Sequence, residues 1–459
     1  MTLTFEEAAR ATAAKVQGGV LPRPAIDVSI DTRTIAPGQT YLALRGDRFD
    51  GHAYIDQALE KGAAALVVDA APNRVLEVAT LIVADTKNAY MALAGAARDK
   101  FSGPVIAITG STGKTTTKVL LSQLLATAFG TAVLASPANE NNEIGVSKLL
   151  LAVSTETQAL VVEMGARHFG DIAELVTIAR PQVGILTNVG EAHLEIMGSP
   201  ERLAETKWAI FSQGAAAVLN VHDEVSRTRA GGLERPPRWF GFGQATLPNI
   251  HPSERGVFLQ DRHTVVVIEG DDVQTYHIDA RLPGDYNLEN LAAALAGAIE
   301  LGCAVEDLIA AIPHLELPSG RYERIALSGG VQVIFDAYNA SLTGMLATLD
   351  AFAQEPGHRR IAVLASMAEL GSGAPQMHAT VGRHAAQAGL DLVLVGGDYA
   401  EQLASGALSG GLDEHRVVRF ENNVDAISWL REHAAEGDIV LLKGSRKYRL
   451  EEVLEGMRS

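Results

Sequence analysis

The chain has 459 residues, which at roughly 150 residues per domain predicts about three domains. Its 47% apolar and 20% charged residues exclude a disordered or collagen-like protein, and its single cysteine, Cys303, excludes an internal disulfide. The 38 basic and 55 acidic residues give a formal net charge of −17, which provides no bulk positive field for nucleic acid or an anionic membrane. No apolar run approaches the roughly 18 residues of a membrane span, and the start of the chain lacks a signal-peptide pattern. We therefore expect a cytoplasmic protein with no nucleic-acid partner and no membrane insertion.

Short apolar runs alternate with Ala-rich helical stretches along the chain. The runs carry nearly continuous Val, Ile and Leu, as strands of a parallel sheet covered on both faces do. They are AAALVVDAA, PVIAITG, ALVVEMGA, VGILTNVG, RRIAVLASM, LDLVLVGG and GDIVLLKG. This alternation predicts a doubly wound α/β fold, in which ligands bind at the carboxyl ends of the strands.

The pattern divides the chain into three blocks, predicted as 1–85, 86–316 and 317–459. The first block closes one α/β unit at Asp85. The second contains a glycine-rich loop and a polar stretch, from about His222 to Asp279, that we expect to form antiparallel strands appended to the sheet. The third carries three more strand–helix alternations.

A phosphate-binding loop is the strongest local signal. An apolar strand ends at Thr109, a glycine-rich loop follows, and an amphipathic helix begins after it. The loop is Gly110, Ser111, Thr112, Gly113, Lys114, Thr115 and Thr116. In such loops backbone N–H groups and the lysine bind phosphates, and the hydroxyl after the lysine binds Mg²⁺. The alternative, an ordinary Gly-rich turn, explains neither Lys114 nor Thr115.

Three further side chains are candidates for the same site. Glu163 ends a buried strand, where a carboxylate is costly unless it is paired, metal-bound or reaching solvent. His193 follows the next strand as a Mg²⁺ ligand, a phosphate contact or a solvated loop histidine. Lys207 lies in the apolar face of a helix that begins with Ser199 as N-cap, so it either snorkels to solvent or does chemistry.

Four polar residues further along the chain have two interpretations each. Asn287 and Asn290 share a face in the first turn of a helix, where they cap it or hydrogen-bond a purine edge. Arg321 and Asp336 flank a hairpin, as an ion pair or as contacts to a transferring phosphoryl group.

These motifs, in this order, closely resemble those of the Mur ligases, the ATP-dependent amide-forming enzymes of peptidoglycan synthesis. The resemblance covers nearly the whole chain. It is carried by TGSTGKTT (109–116), NENNEIG (139–145), EMGA (163–166), TNVGEAHLE (187–195), Lys207, GDYNLEN (284–290), GRYE (320–323), DAYNAS (336–341), MAELG (367–371) and LKGSR (442–446). It implies a small N-terminal α/β domain for a UDP-sugar, a central P-loop ATPase with a parallel sheet, and a C-terminal Rossmann-like domain.

The resemblance also implies roles for individual residues. Lys114, His193, Lys207 and Arg321 are implied to be catalytic, and Thr115, Glu163, His193 and Lys207 to hold Mg²⁺. In related ligases the lysine at the place of Lys207 is carbamylated. The implied nucleotide contacts are the phosphate loop, Asn287, Asn290, Arg321 and Asp336. The implied substrate contacts are Asp31, Thr32, Arg33, Asp50, Gly51, His52, Asn141, Asn142, Tyr338 and Asn339.

The implied reaction joins D-Ala-D-Ala to UDP-MurNAc-tripeptide, with ATP and Mg²⁺, through an acyl phosphate. We expect a monomer. A Mur or folylpolyglutamate-type ligase with a different amine is the nearest alternative. A P-loop regulatory ATPase and a non-catalytic UDP-sugar binder are the alternatives from other classes.

Overall fold

The computed structural model describes residues 3–19, 25–46, 49–70, 77–190, 194–243 and 254–458. Three sheets of five or more strands organise these residues, one in each predicted block, and the first block also has two two-stranded sheets. The predicted boundaries at 85/86 and 316/317 fall between the sheets and stay predictions. None of the helices in the described ranges is both long enough and apolar enough to cross a lipid bilayer.

The N-terminal part is a small α/β unit. Its elements are β1 (Leu3–Thr4), α1 (Phe5–Ala11), β2 (Lys15–Gln17), β3 (Ala25–Ile26), β4 (Val28–Ser29), β5 (Thr40–Leu42), β6 (Arg45–Gly46), β7 (Phe49–Asp50), α2 (Ile55–Glu60), β8 (Ala65–Val68), β9 (Ala79–Ile82) and α3 (Thr86–Asp99). Five strands form a sheet in the order β2-β9-β8-β5-β4, in which only β2 is antiparallel to its neighbour. Asp85 caps α3 by accepting a hydrogen bond from the Asn88 N–H.

The central part contains a nine-stranded sheet. Its elements are β10 (Val105–Thr109), α4 (Lys114–Phe129), β11 (Val133–Ala135), α5 (Glu143–Leu151), β12 (Ala159–Glu163), α6 (Asp171–Ala179), β13 (Val183–Leu186), α7 (Leu194–Met197), α8 (Pro200–Trp208), β14 (Ala216–Asn220), α9 (Glu224–Arg229), β15 (Arg238–Phe242), β16 (Arg255–Leu259), β17 (Thr264–Glu269), β18 (Asp272–His277), α10 (Asp285–Glu300) and α11 (Val305–Ala311). The strand order is β11-β12-β10-β13-β14-β15-β16-β17-β18.

This sheet is parallel from β11 to β16 and antiparallel beyond β16. The expectation of an antiparallel addition is therefore confirmed for β16, β17 and β18 but wrong for β15. The strand β15 pairs parallel with both neighbours because it returns to the same end of the sheet after α9. Residues 244–253, which were part of that predicted stretch, lie outside the described residues.

Helices cover both faces of the central sheet, as its continuous apolar strands predict. One face packs against α3, α5, α6 and α8, and the other packs against α4 and α10. The helix α10 is almost entirely buried, since Leu288, Leu291 and Ala292 are each fully covered. It closes this face of the parallel strands, although it follows the last strand of the sheet in sequence.

The C-terminal part is a six-stranded sheet with helices on both faces. Its elements are β19 (Glu323–Ala326), β20 (Gln332–Asp336), α12 (Leu342–Ala353), β21 (Arg360–Ala365), α13 (Ala374–Gln387), β22 (Leu392–Gly396), α14 (Ala400–Ser409), β23 (Val417–Arg419), α15 (Asn423–His433), β24 (Ile439–Lys443) and α16 (Glu451–Arg458). The order is β19-β20-β24-β21-β22-β23, parallel except for β19. The strand–helix alternations number five, against three predicted, because β20 and β23 are too short or too polar to show the apolar signature.

Candidate active site

The phosphate-loop sequence forms a tight turn between β10 and α4. Gly110 has φ +151°, and a Cβ there would lie 1.8 Å from the Thr187 hydroxyl oxygen. Gly113 has φ +82°, and a Cβ there would lie 2.3 Å from Asn290 Oδ1. Both positions therefore require glycine, by conformation and by space.

A second loop, which follows β13, supports the phosphate loop from the side. Asn188 Oδ1 accepts a hydrogen bond from the Thr112 N–H at 3.1 Å, and the Thr187 hydroxyl donates to the Thr112 carbonyl at 2.6 Å. The Ser111 hydroxyl accepts a bond from the Gly190 N–H at 2.8 Å. Sequence reasoning did not single out Thr187 or Asn188, although their position at a strand end beside β10 was a signal for them.

Lys114 begins α4 and folds back over the loop. Its ammonium donates to the Gly110 carbonyl at 2.7 Å and to the Ser111 carbonyl at 3.3 Å. Burial lowers the pKa of Lys114, the charge of Glu163 opposes that shift, and the charge of Arg321 adds to it. A lysine held in this way is near the loop N–H groups that a phosphate would contact.

Glu163, the last residue of β12, is the centre of a buried polar cluster. Its Oε1 accepts bonds from the Thr115 hydroxyl at 3.1 Å and from the Asn141 amide at 2.9 Å. Its Oε2 lies 3.1 Å from Lys118 Nζ, in an ion pair without hydrogen-bond angles, and accepts no hydrogen bond. The two charged side chains are 1% and 3% exposed. Lys118 is a second residue that the sequence analysis missed, because a lysine one turn into a helix has no distinctive pattern.

The oxygens of this cluster suit a hard divalent cation. Thr115 and Glu163 supply hydroxyl and carboxylate oxygens, the ligand types that Mg²⁺ takes, and Glu163 Oε2 is a buried acceptor without a hydrogen bond. Within the described ranges no group of three or more His, Cys, Asp or Glu side chains could hold a metal. The predicted ligand His193 lies outside the described residues. The roles of Thr115, Glu163 and His193 as metal ligands stay predictions.

Lys207 reaches the phosphate loop from α8, whose N-cap is Ser199 with Pro200 in the first turn. The side chain does not snorkel to solvent, since Lys207 is 2% exposed. Its Nζ donates to the Gly110 carbonyl at 3.0 Å. Burial lowers the pKa of Lys207 well below its usual value, and the charge of Lys114 lowers it further. A lowered pKa favours the neutral amine, which is the nucleophilic form that carbamylation requires.

The two asparagines of α10 lie beside the phosphate loop. Gly284 is the N-cap of α10, so neither asparagine occupies the capping position. The Asn287 amide donates to the Pro283 carbonyl at 2.8 Å, and Asn290 Oδ1 accepts a bond from the Thr117 hydroxyl at 3.3 Å. Thr116, the last residue of the predicted loop, is buried within the first turn of α4. The predicted contacts of these residues with a nucleotide are not tested by these bonds.

Arg321 and Asp336 do not pair with each other. Asp336 Oδ2 accepts bonds from Lys443 Nζ at 2.8 Å and from the Thr348 hydroxyl at 2.7 Å. The Arg321 guanidinium carbon lies 4.6 Å from the centre of the Tyr338 ring. The interpretation of Arg321 and Asp336 as a hairpin ion pair is therefore wrong. The Asp336 carboxylate pairs instead with Lys443, which ends the neighbouring strand.

Tyr338 and Asn339 follow β20 at the edge of the C-terminal sheet that faces the central part. Burial raises the pKa of Tyr338, and the nearby Glu163 carboxylate adds to that shift. The Asn339 carbonyl accepts a bond from Lys443 Nζ at 3.1 Å. Below them a cleft separates the two parts, and its lining residues are Ser111, Thr112, Asn188, Gly190, Ser341, Leu342, Thr343 and Leu370.

Asn141 and Asn142 differ in what they contact. Asn141 bonds Glu163 and packs so closely that a Cβ on Gly165 would lie 2.6 Å from its Oδ1. Asn142 is the N-cap of α5, where its Oδ1 accepts a bond from the Gly145 N–H at 3.0 Å. Asn141 is therefore the one placed in the polar cluster.

The predicted uridine-end residues form two groups in the N-terminal part, in which Arg33 and Asp50 are exposed and Thr32 and Gly51 are buried. Asp31 accepts three hydrogen bonds from the Arg33 guanidinium and one from its N–H, which lowers the pKa of Asp31 to about 2. The Thr32 hydroxyl donates to Gln57 Oε1 at 2.7 Å.

The second group is the turn from Asp50 to His52. Asp50 Oδ1 accepts a bond from the His52 N–H at 3.0 Å and lies 2.7 Å from His52 Nδ1. A Cβ on Gly51 would lie 2.8 Å from the Ala43 backbone, so the turn packs directly against the sheet. Both groups lie far in sequence from the phosphate loop, and their substrate contacts stay predictions.

Three segments of the chain match known domain families. Residues 27–101 match the domain described as Mur ligase family, catalytic domain, residues 108–298 the Mur ligase middle domain, and residues 320–446 the Mur ligase, glutamate ligase domain. The matched segments contain the phosphate loop, Glu163, Arg321 and Arg446.

Whole proteins match over nearly the full length. The UDP-N-acetylmuramoyl-tripeptide–D-alanyl-D-alanine ligase of Synechocystis sp. is 36% identical over 428 residues, which is 92% of this chain and 90% of the relative. The Bacillus subtilis enzyme of the same name is 32% identical, and the match covers 94% of this chain and 92% of that enzyme.

Solved structures agree with these relatives. MurF from Acinetobacter baumannii superposes with a TM-score of 0.87 at 26% identity over 100% of this chain and 99% of that one. The MurF ligase from Thermotoga maritima in complex with ADP superposes with a TM-score of 0.78 at 30% identity, over 94% of this chain and 96% of that one.

Proposed function

The chain belongs to the Mur ligase family, and from that premise we propose that it is an ATP-dependent ligase that joins D-Ala-D-Ala to UDP-MurNAc-tripeptide. In this reaction the terminal carboxylate of the tripeptide attacks the γ-phosphate of ATP, which releases ADP and forms an acyl phosphate. The amine of D-Ala-D-Ala then attacks the acyl carbon and loses a proton. Phosphate leaves as the amide bond forms.

The observation that carries this function is the position of Lys207. A buried lysine with a lowered pKa, bonded to the carbonyl of the first phosphate-loop glycine, has no purpose in a simple nucleotide switch. Carbamylation would convert its amine into an anionic ligand within reach of the loop. This supports a ligase that stabilises a charged acyl-transfer centre over a regulatory ATPase.

The residues around the phosphate loop fit the needs of the first step. Lys114 and, from the C-terminal part, Arg321 bring positive charge to the γ-phosphate, which disperses the charge that develops during phosphoryl transfer. When bound, Mg²⁺ would neutralise phosphate charge, and Thr115, Glu163, His193 and a carbamylated Lys207 would hold it. Asn287, Asn290 and Asp336 would contact the nucleotide.

The remaining parts of the molecule take the two other substrates. The block 1–85 would bind the UDP end through Asp31, Thr32, Arg33, Asp50, Gly51 and His52. The block 86–316 would carry the nucleotide, and the block 317–459 would bind the dipeptide with Tyr338 and Asn339. The Synechocystis and Bacillus relatives support the substrates by name. We propose that the enzyme acts as a cytoplasmic monomer.

The test is phosphate release from ATP in the presence of Mg²⁺ and UDP-MurNAc-tripeptide, with and without D-Ala-D-Ala, while the UDP-linked product is followed by mass. Release that needs both substrates and yields the pentapeptide supports the proposal. Release with an alternative amine, such as glutamate, supports a different ligase. ATP turnover that ignores both substrates overturns the ligase function.

A further inference from the structure

Two arginines of the C-terminal part share one tyrosine ring. The guanidinium carbons of Arg321 and Arg446 lie 4.6 Å and 5.3 Å from the centre of the Tyr338 ring, so they are no farther apart than the sum of these distances. Arg321 precedes β19, and Arg446 follows β24. The strand β24 pairs with β20, which leads into Tyr338, so both residues lie at the same sheet edge.

Neither arginine has a carboxylate partner among the described residues, which is unusual for cations at this edge. The neighbouring cations are all paired: Lys443 with Asp336 at 2.8 Å, Lys447 with Asp398 at 2.6 Å and Arg449 with Glu452 at 2.7 Å. The Nε of Arg321 is buried and makes no hydrogen bond. Two guanidinium groups that the protein itself does not neutralise form a site for anionic ligand groups.

The two arginines differ in what they face. Arg321 is half-buried, and its Nε is fully covered without a hydrogen bond. Arg446 is solvent-exposed and comes from the central strand of the C-terminal sheet, at the carboxyl edge where ligands of parallel sheets bind. The half-buried Arg321 is therefore the guanidinium that we assign to the phosphoryl group, and the exposed Arg446 is the one open to a second anionic group that enters from solvent.

We propose that Arg446 binds the terminal carboxylate of the incoming dipeptide, and so selects an amine substrate that carries a free carboxylate. This inference rests on the proposed function. A dipeptide extends about 7 Å from its amine to its carboxylate. With its amine at the acyl carbon near Arg321, its carboxylate is within reach of the second guanidinium on the shared ring. Tyr338 then serves as a positioning residue that fixes the spacing between the two.

The test compares D-Ala-D-Ala with its C-terminal amide, D-Ala-D-Ala-NH₂, in the wild-type enzyme and in Arg446→Gln. The wild type should prefer the acid by about 10- to 100-fold in kcat/KM, the usual strength of a charge-assisted bidentate hydrogen bond. Arg446→Gln should raise the KM for the acid by the same factor. It should use the amide as well as the wild type does, so that the preference disappears, and KM for ATP should stay within about two-fold because the phosphate site is intact.

Two variants control the test. Arg446→Lys keeps the charge but loses the forked geometry, so it should retain part of the preference for the acid. Arg449→Gln changes an exposed arginine three residues away, which pairs with Glu452, and should leave both substrates unaffected. Equal thermal unfolding midpoints for the four proteins show that an effect is not caused by misfolding.

Two results overturn the inference alone. One is an increase in KM for ATP instead of the dipeptide, which makes Arg446 a phosphate contact. The other is an equal loss for acid and amide, which makes its role purely structural. A wild-type enzyme that converts neither dipeptide, but converts another amine in the same assay, overturns the proposed function and the inference together.

Discussion

Two buried lysine–carboxylate pairs stand at the carboxyl ends of parallel strands, one in the central sheet and one in the C-terminal sheet. Glu163 ends β12 and contacts Lys118, and Asp336 ends β20 and contacts Lys443 at the end of β24. The pairs are matched in burial, since all four side chains are at most 6% exposed. They differ in how the carboxylate is used.

Glu163 contacts Thr115 and Lys118 of α4 and Asn141 ahead of α5, and its Oε2 accepts no hydrogen bond. Asp336 concentrates the Lys443 and Thr348 bonds on one oxygen, and Lys443 also bonds the Asn339 carbonyl. The first arrangement leaves a buried acceptor without a hydrogen bond. The second ties the carboxylate to the backbone next to Tyr338. We therefore expect the same pair of residue types to serve ligand binding in the central sheet and positioning in the C-terminal sheet.

The variant Glu163→Gln is the most direct test of the difference between the two pairs. Removing the charge leaves Lys118 buried and unpaired, which should cost about 3–5 kcal/mol. The reaction should also slow by about 100- to 1000-fold in kcat, since a preorganised electrostatic contact is lost. Thermal unfolding and phosphate release measure the two effects.

The control is the double variant Glu163→Gln with Lys118→Met. It removes both charges and should recover most of the unfolding midpoint without recovering activity. Recovery of both would show that Glu163 acts only as a structural partner of Lys118, and the difference between the two pairs would disappear.

Asp336→Asn tests the C-terminal pair in the same way. Leaving Lys443 unpaired should cost about 3 kcal/mol. The cost should fall as pH rises, because burial already lowers the pKa of Lys443 and a neutral amine needs no partner. Adding Lys443→Met should restore stability, and here kcat should return with it to within about ten-fold, as expected for a positioning role. Activity that stays lost in a stable double variant would instead support the predicted nucleotide contact of Asp336.

The variant Lys207→Met measures how much free energy of unfolding is lost by burying a lysine that has no carboxylate partner. The pKa of Lys207 is lower in the folded protein than the value of about 10.4 in the unfolded chain. Between these two pKa values Lys207 is protonated in the unfolded chain but not in the folded protein. The free energy of unfolding therefore rises with pH in this range. The variant should therefore be more stable than the wild type, by a margin that shrinks by up to about 1.4 kcal/mol per pH unit as pH rises toward 10.4. Thermal unfolding at pH 7, 8 and 9 measures the margin. A margin that does not change with pH would mean that Lys207 is charged in the folded protein.

Asp31→Asn gives the smallest expected effect, because the Asp31–Arg33 pair is exposed. With a pKa of about 2 in the folded protein, the contribution of Asp31 is complete above about pH 4 and is lost only as pH falls toward 2. The unfolding midpoint of the variant should therefore lie slightly below that of the wild type, by a difference that stays constant from pH 5 to 9. The KM for UDP-MurNAc-tripeptide should rise by about three-fold, in keeping with the weakness of exposed ion pairs. A much larger rise in KM would show that Asp31 contacts the substrate directly.

The sequence predicted the elements whose signals are local. The strands that end at Thr109 and Glu163 are apolar and continuous, and the glycines of the phosphate loop mark a turn that only glycine can adopt. Lys207 was also identifiable, because a lysine in an apolar helical face is conspicuous. The doubly wound fold was also predicted correctly, because its apolar strands are local signals. The similarity to solved MurF structures confirms this fold.

Residues whose positions depend on tertiary pairing were not predictable. Lys118 lies in a helix whose orientation toward Glu163 is set by the sheet. An ion pair between Asp336 and Arg321 was one of the two interpretations of these residues, because the true partner, Lys443, lies more than a hundred residues away in sequence. The strand β15 was expected to be antiparallel, because a polar sequence does not show at which end of the sheet the chain re-enters. In each case the missing information is the order of the strands, which a local pattern does not contain.

The position of α10 has a consequence for synthesis of the protein on the ribosome. The strands from β10 onward present an apolar face that α10 covers, yet α10 ends at Glu300, nearly two hundred residues after β10 begins. At 5–20 residues per second, that face is covered by α4 but lacks α10 for roughly 10–40 s after its first strand is made. During this interval the nascent chain exposes the Val and Ile side chains that α10 later buries. This face of the central core is therefore completed only after α10 has been synthesised.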